Sequence, residues 1–146
     1  MIDQTPNLPN HLNTLFQPVT EQCITQTAAR FNLPDIILKA ILAVEDGKTG
    51  ELRVNTNGTY DIGPMQVNSI WLPKFSKYVS SEQLLYNGCA NVQVGAWILK
   101  YNINKANGDM WQGVGSYHST TPAHQDKYRN KIYVAMQSMQ KSKTTT

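Results

Sequence analysis

The sequence is short of the features that would place it in several common classes. Only 16% of its 146 residues are charged, and the net charge is +3. An anionic polymer could be a partner, but Lys and Arg are not clustered as a nucleic-acid binder requires, so no nucleic acid is expected. No stretch is long and apolar enough to span a bilayer. Met1 is followed by polar, proline-containing sequence and not by a basic and then apolar run, so no signal peptide is visible. The chain therefore reads as a cytosolic protein or as a mature or shortened one. Cys23 and Cys89 each stand alone, which fits no metal motif. By count they are either two buried free thiols or a disulfide closing a long loop, for which chain entropy gives about 4 kcal/mol. His11, His118 and His124 lack zinc spacing. No metal and no cofactor is expected. There is no internal repeat and no interdomain linker.

What is present is an ordinary globular composition, 40% hydrophobic and 9% aromatic, in a length that suits one domain with a real core. Residues 1–18 are polar with three prolines and are expected to form a flexible arm. Thr20 suits the cap of a helix from Glu21 to Phe31. Asn57-Gly58, between β-prone segments over Arg53–Asp61, is a strong hairpin signal. Met65–Leu72 has apolar spacing that predicts a short helix. Ser80 or Ser81 caps a helix to Tyr86, and a longer helix runs from about Asn87 to Asn104. Gly95 inside it predicts close packing against a neighbour. Asp109 caps Met110–Tyr117, and Thr121-Pro122 starts a last helix through Tyr128, Ile132, Ala135 and Met139. The polar tail 141–146 is expected to be disordered. The fold class is mainly α, a helical domain with one small hairpin, which serves as a flap or cleft wall.

The organising stretch runs from Pro34 to Gly47. Its apolar residues recur at helical spacing, with Pro34 suited to the first turn and Gly47 to the position past the end. Leu38, Ile41 and Leu42 share a face with Glu45, so a carboxylate is carried on the buried stripe in the last turn. Burial and the negative helix end both favour its neutral form near neutral pH, which is what a general acid requires. Taken alone, the helix equally fits a solvated acid at a frayed end. Asp46 points elsewhere and reads as exposed.

Three further segments can meet around Glu45. They are Tyr60–Asn68, the helix carrying Asn91, and Gly115–Ser119. They bring Gln66, Asn68, Asn91, Tyr117 and His118, the neutral hydrogen-bonding and aromatic groups that bind sugars. Glycosidases usually employ a second carboxylate, and Asp61 is the best candidate, ahead of Glu51 and Asp46. Asp61 equally suits a hairpin residue bonded to nearby backbone amides. Ser116, His118 and Asp126 lie too close in one segment, without a strained elbow, to make a nucleophilic triad. Trp97 reads as core, and Trp71 and Trp111 as core or cleft.

Ala43-Val-Glu-Asp-Gly47, Asp61-Ile-Gly-Pro-Met-Gln-Val-Asn68, Asn91-Val-Gln-Val-Gly-Ala96 and Gly115-Ser-Tyr-His-Ser119 together resemble the ordered motifs of the lytic transglycosylases. The resemblance covers roughly residues 20–136. It is nearest to the small specialised enzymes of type III and type IV secretion, conjugation and type IV pilus systems. Asn55–Gly63 also resembles the hairpin of animal-type lysozymes, which share the lysozyme-like fold. The resemblance implies that Glu45 is the single catalytic acid/base, that Gln66 and Asn68 line the substrate, and that Tyr117 lies beside the glutamate. It implies that Cys23 and Cys89 form a disulfide, which points to the periplasm. Three positions depart from the family pattern: Asp46 replaces a common Ser, Pro64 a common Leu, and His118 the Asn of a Tyr-Asn pair.

The implied reaction is cleavage of the β-1,4 bond between N-acetylmuramic acid and N-acetylglucosamine, leaving a 1,6-anhydro end. The expected domain spans 19–140. The expected partners are peptidoglycan strands and secretion, conjugation or pilus proteins, with the enzyme acting as a monomer. Two alternatives stand: a lysozyme-type hydrolase using Glu45 and Asp61, and a non-catalytic peptidoglycan-binding module.

Overall fold

The computed structural model describes residues 16–144. The expected arm lies mostly outside the described residues, as do 145 and 146. Residues 16–18 are held: Gln17 N–H donates to the Tyr86 carbonyl (2.9 Å), and Gly88 N–H to the Gln17 carbonyl (2.7 Å).

Helix α1 (Glu21–Phe31) starts where Thr20 accepts from Cys23 N–H and stops at Asn32, which is left-handed. Helix α2 (Asp35–Glu45) follows, with Pro34 just before its first turn. After the sheet come α3 (Leu72–Phe75), α4 (Ser81–Tyr86), α5 (Gly88–Lys105), α6 (Met110–His118) and α7 (Pro122–Thr144). Ser80 caps α4 in a capping box with Gln83, Asn87 caps α5, and Asp109 caps α6. Helix α7 runs through Thr144, so the tail expected to be disordered is helical over 141–144. No Gly or Pro interrupts it there.

The core lies around α5, whose Val92, Ala96 and Leu99 are fully buried between α1 and α6. Ile37, Leu38, Ala40 and Ile41 of α2 are equally buried, and α2 packs on α1 and α7. Each large apolar side chain so buried contributes about 2 kcal/mol. Three such anchors, Ile37, Leu38 and Ile41, fix the axis of the helix that ends on Glu45. Gly95 is the close approach that its place in α5 predicts. A Cβ there would lie 2.6–2.8 Å from the side chain of Met65.

Strands β1 (Leu52–Val54), β2 (Tyr60–Ile62) and β3 (Val67–Asn68) form an antiparallel sheet in that order. The hairpin tip is the predicted Asn57-Gly58, where Thr59 N–H donates to the Asn57 side chain at 3.0 Å. The third strand replaces the start of the helix predicted over Met65–Leu72. Gly63 and Gln66 both take positive φ (66° and 52°), and Gln66 N–H donates to the Gly63 carbonyl, so the chain reverses at once. Val67 then pairs with Ile62 and Asn68 with Asp61. Helical structure resumes as a 3-10 turn at Ser69–Trp71, with Asn68 accepting from Ile70 N–H.

Cys23 and Cys89 are joined by a disulfide that ties α1 to the first turn of α5 across 66 residues. Among the described residues no helix is long and apolar enough to cross a membrane.

Candidate active site

A cleft of about 740 Å³ runs between the sheet and the ends of α2 and α6. Glu45 lies on its floor, Asp61, Gln66 and Asn68 on the sheet side, and Tyr117 and His118 on the α6 side. Of the predicted polar groups, six therefore converge and one does not.

The exception is Asn91, expected to touch substrate. It is fully buried. Its Oδ1 accepts from Met65 N–H (2.8 Å), and its Nδ2 donates to the carbonyls of Ile62 (2.9 Å) and Leu84 (3.0 Å). Every strong group is used inside the protein, so Asn91 holds the Gly63–Gln66 turn and leaves nothing for a sugar.

Glu45 is half-buried at the end of α2. Its Oε2 accepts a hydrogen bond of 2.8 Å from the hydroxyl of Tyr128, a buried residue of α7. Burial pushes the carboxyl up to about 7. The Tyr128 bond opposes this, Asp61 adds to it, and Arg53 and Lys131 oppose it. Desolvation therefore outweighs the charges around the acid. The helix-end field expected to help is met by Arg53. From β1, its guanidinium donates to the carbonyls of Glu45 (2.9 Å) and Asp46 (2.5 Å). Asp46 is exposed and takes the left-handed position that ends the helix, at φ 52°. Gly47 is needed for space, since a Cβ there would lie 2.0 Å from the Gly63 carbonyl oxygen.

The other side chains hold one another. Asp61 accepts from the Asn68 side chain at 2.9 Å, and the same Nδ2 reaches Thr59 Oγ1 at 3.2 Å. Gln66 donates back to the Gly63 carbonyl at 3.0 Å. Tyr117 donates to the Met65 carbonyl at 2.6 Å, so its hydroxyl fixes the turn while Glu45 and Asp61 help push its pKa up, after burial. His118 stacks flat on Tyr128, 4.5 Å between ring centres. Burial holds His118 below its ordinary value, helped by His124 and Lys131 and opposed by Asp61. Ser116 lines the cleft, but Asp126 is engaged by Arg129, which leaves no triad. Trp71 lines the cleft, whereas Trp97 does not.

Tyr128 and Arg53 were not legible as site residues. Tyr128 reads as one member of an apolar stripe, and its hydroxyl was the only hint. Arg53 reads as a hairpin charge.

A small helical domain, a three-stranded flap and one half-buried carboxylic acid on a cleft floor define a lysozyme-like glycan-cleaving enzyme. Residues 22–139 match the transglycosylase SLT domain family. The chain is 36% identical over 117 residues to invasion protein IagB of Salmonella typhimurium, covering 76% of this chain and 72% of that protein. It is 32% identical over 111 residues to protein IpgF of Shigella flexneri, covering 75% and 72%. The chain belongs to the SLT family and is a lytic transglycosylase of peptidoglycan.

Proposed function

We propose that Glu45 is the single acid and base of the reaction. The observation that carries this is the half-buried carboxyl on the cleft floor, held by Tyr128 and pushed up to about 7 by its burial. Because Oε2 accepts from Tyr128, Oε1 is the oxygen assigned the acid proton in this mechanism. Glu45 gives that proton to the glycosidic oxygen between N-acetylmuramic acid and N-acetylglucosamine. Positive charge develops at the muramic anomeric carbon, where the substrate's own N-acetyl group can shield it. The Glu45 carboxylate then takes the proton of the muramic 6-hydroxyl, and that oxygen closes on the anomeric carbon. The product is a 1,6-anhydro end, formed without water. A group that must be acid and then base works best with a pKa near the operating pH. Gln66, Asn68, Tyr117 and His118 line the strand's path.

Asp61 supports a second reading. It lines the same cleft and its charge acts on Glu45, as a second carboxylate of a hydrolase would require.

The disulfide supports an oxidising compartment, which for a peptidoglycan enzyme is the periplasm. The resemblance of the motifs to the specialised enzymes of secretion and pilus systems supports local opening of the wall for such a machine, and the name of the Salmonella relative, an invasion protein, is compatible with it.

The test is mass spectrometry of fragments released from purified peptidoglycan. Fragments one water lighter than hydrolytic ones, absent with Glu45→Gln, are expected. Reducing ends carrying the added water would transfer the reaction to the Glu45–Asp61 pair. Undiminished release by Glu45→Gln would sink the assignment of the acid.

A further inference from the structure

A second groove, of about 650 Å³, lies between α1, α3, the loop after α3, and α5. It is not part of the cleft, yet the two share a wall. Trp71 and Tyr101 line the cleft, and Trp97 lines the groove. Trp97 stacks on Tyr101 with ring centres 5.4 Å apart and meets Trp71 edge-on at 6.2 Å. The groove therefore begins one ring away from the cleft.

Its lining has a definite chemistry. Arg30 and Lys74 are the charged residues, and no Asp or Glu lines it. Both cations sit over aromatic faces, Arg30 over Phe31 at 5.6 Å and Lys74 over Trp97 at 5.4 Å. Neither takes part in the salt bridges among the described residues. Tyr78 stands at the rim, 82% exposed. Two unpaired cations above an aromatic floor suit a ligand with carboxylates on short aliphatic spacers.

We propose that this groove binds the carboxylate-bearing peptide attached to the muramic units of the glycan strand. The inference rests on the cleft holding that strand. The sugar backbone is itself neutral once the muramic carboxyl is taken up in the peptide bond, so it does not call for cations. The peptide does, and it has the reach. An extended chain advances about 3.3 Å per residue, so five residues span roughly 16 Å, more than the one ring that separates cleft from groove.

The experiment compares kcat/KM on intact peptidoglycan with that on strands stripped of peptide by an amidase, the muramic carboxyls so freed being capped as amides to keep the backbone neutral. It uses the wild type and the double variant Arg30→Gln/Lys74→Gln, both changes being at exposed positions. Wild type is expected to favour peptide-bearing strands by roughly tenfold, the scale of two partly exposed ion pairs. The double variant is expected to lose that preference while cleaving stripped strands as wild type does, which also shows that it is folded. A wild type without preference overturns the proposal. So does an equal loss on both substrates. A preference that survives in the variant overturns it too, and leaves the cations to an acidic segment of a partner protein. Wild-type enzyme that cleaves neither substrate removes the cleft reading and the groove with it.

Discussion

Glu45 has Asp61 and Arg53 acting on it in opposite directions, the first raising its pKa and the second lowering it. The register puts the two opposite each other on β2 and β1. The alkaline limb of the reaction therefore has two handles of opposite sign. Activity that needs a protonated Glu45 falls as pH rises through about 7. Asp61→Asn removes a negative charge, makes ionisation easier, and moves that alkaline limb to lower pH. Arg53→Gln removes a positive charge and moves it to higher pH. Each displacement is expected to be roughly half a pH unit or less, because Arg53 is exposed and water screens it. The kcat/KM profile on peptidoglycan reads both. Displacements of the same sign would contradict this electrostatic account. The half-buried place of Glu45 was legible in part: three apolar neighbours at helical spacing point to it, although the helix alone equally fits a solvated acid at a frayed end. The groups that tune it were not. A tyrosine in an apolar stripe and an arginine in a hairpin carry no sign of what the fold brings them to.

Among the elements, the turn from Gly63 to Gln66 is the part that builds the site. Asn91 grips it from α5, Tyr117 from α6, and Gly47 leaves room for it beside α2. Asn91→Leu would leave the Met65 N–H and the carbonyls of Ile62 and Leu84 buried without their partner. That is expected to cost about 3 kcal/mol or more, read as a lower urea midpoint. An unchanged midpoint would mean the turn is held otherwise. Helix ends were readable because Thr20, Ser80 and Asp109 cap by local chemistry that the sequence displays. The third strand was hidden. Met65–Leu72 has apolar residues at a spacing that suits a helix. Two left-handed residues, one of them Gln66, reverse the chain and turn Val67 and Asn68 into a strand. For the same reason Asn91 looked like a ligand: two of its three partners are 26 and 29 residues away in sequence, beyond any local pattern.

At the scale of the whole molecule, the Cys23–Cys89 bridge closes the part of the chain that holds most of α1, then α2, the sheet, α3 and α4. Chain entropy gives it about 4 kcal/mol. Reduction, or Cys23→Ser with Cys89→Ser, is expected to lower Tm by roughly 10 °C in a chain of this size. Neither cysteine lines the cleft, so turnover below the new Tm should persist. Loss of turnover in the still-folded reduced protein would show that the bridge shapes the site. The cysteine count left the choice between bridge and thiols open, because pairing depends on where α1 and α5 meet in space.

The Asn91 grip also has a meaning in time. Its three bonds join α5 to residues 7, 26 and 29 positions earlier. Such contacts form only after the intervening chain has closed on itself, whereas helices gather their bonds within a turn. The turn that builds the cleft therefore sets after the local helical bonds do. On refolding, helical ellipticity should return before peptidoglycan cleavage does. A newly made chain would carry helix before it was able to cut the wall.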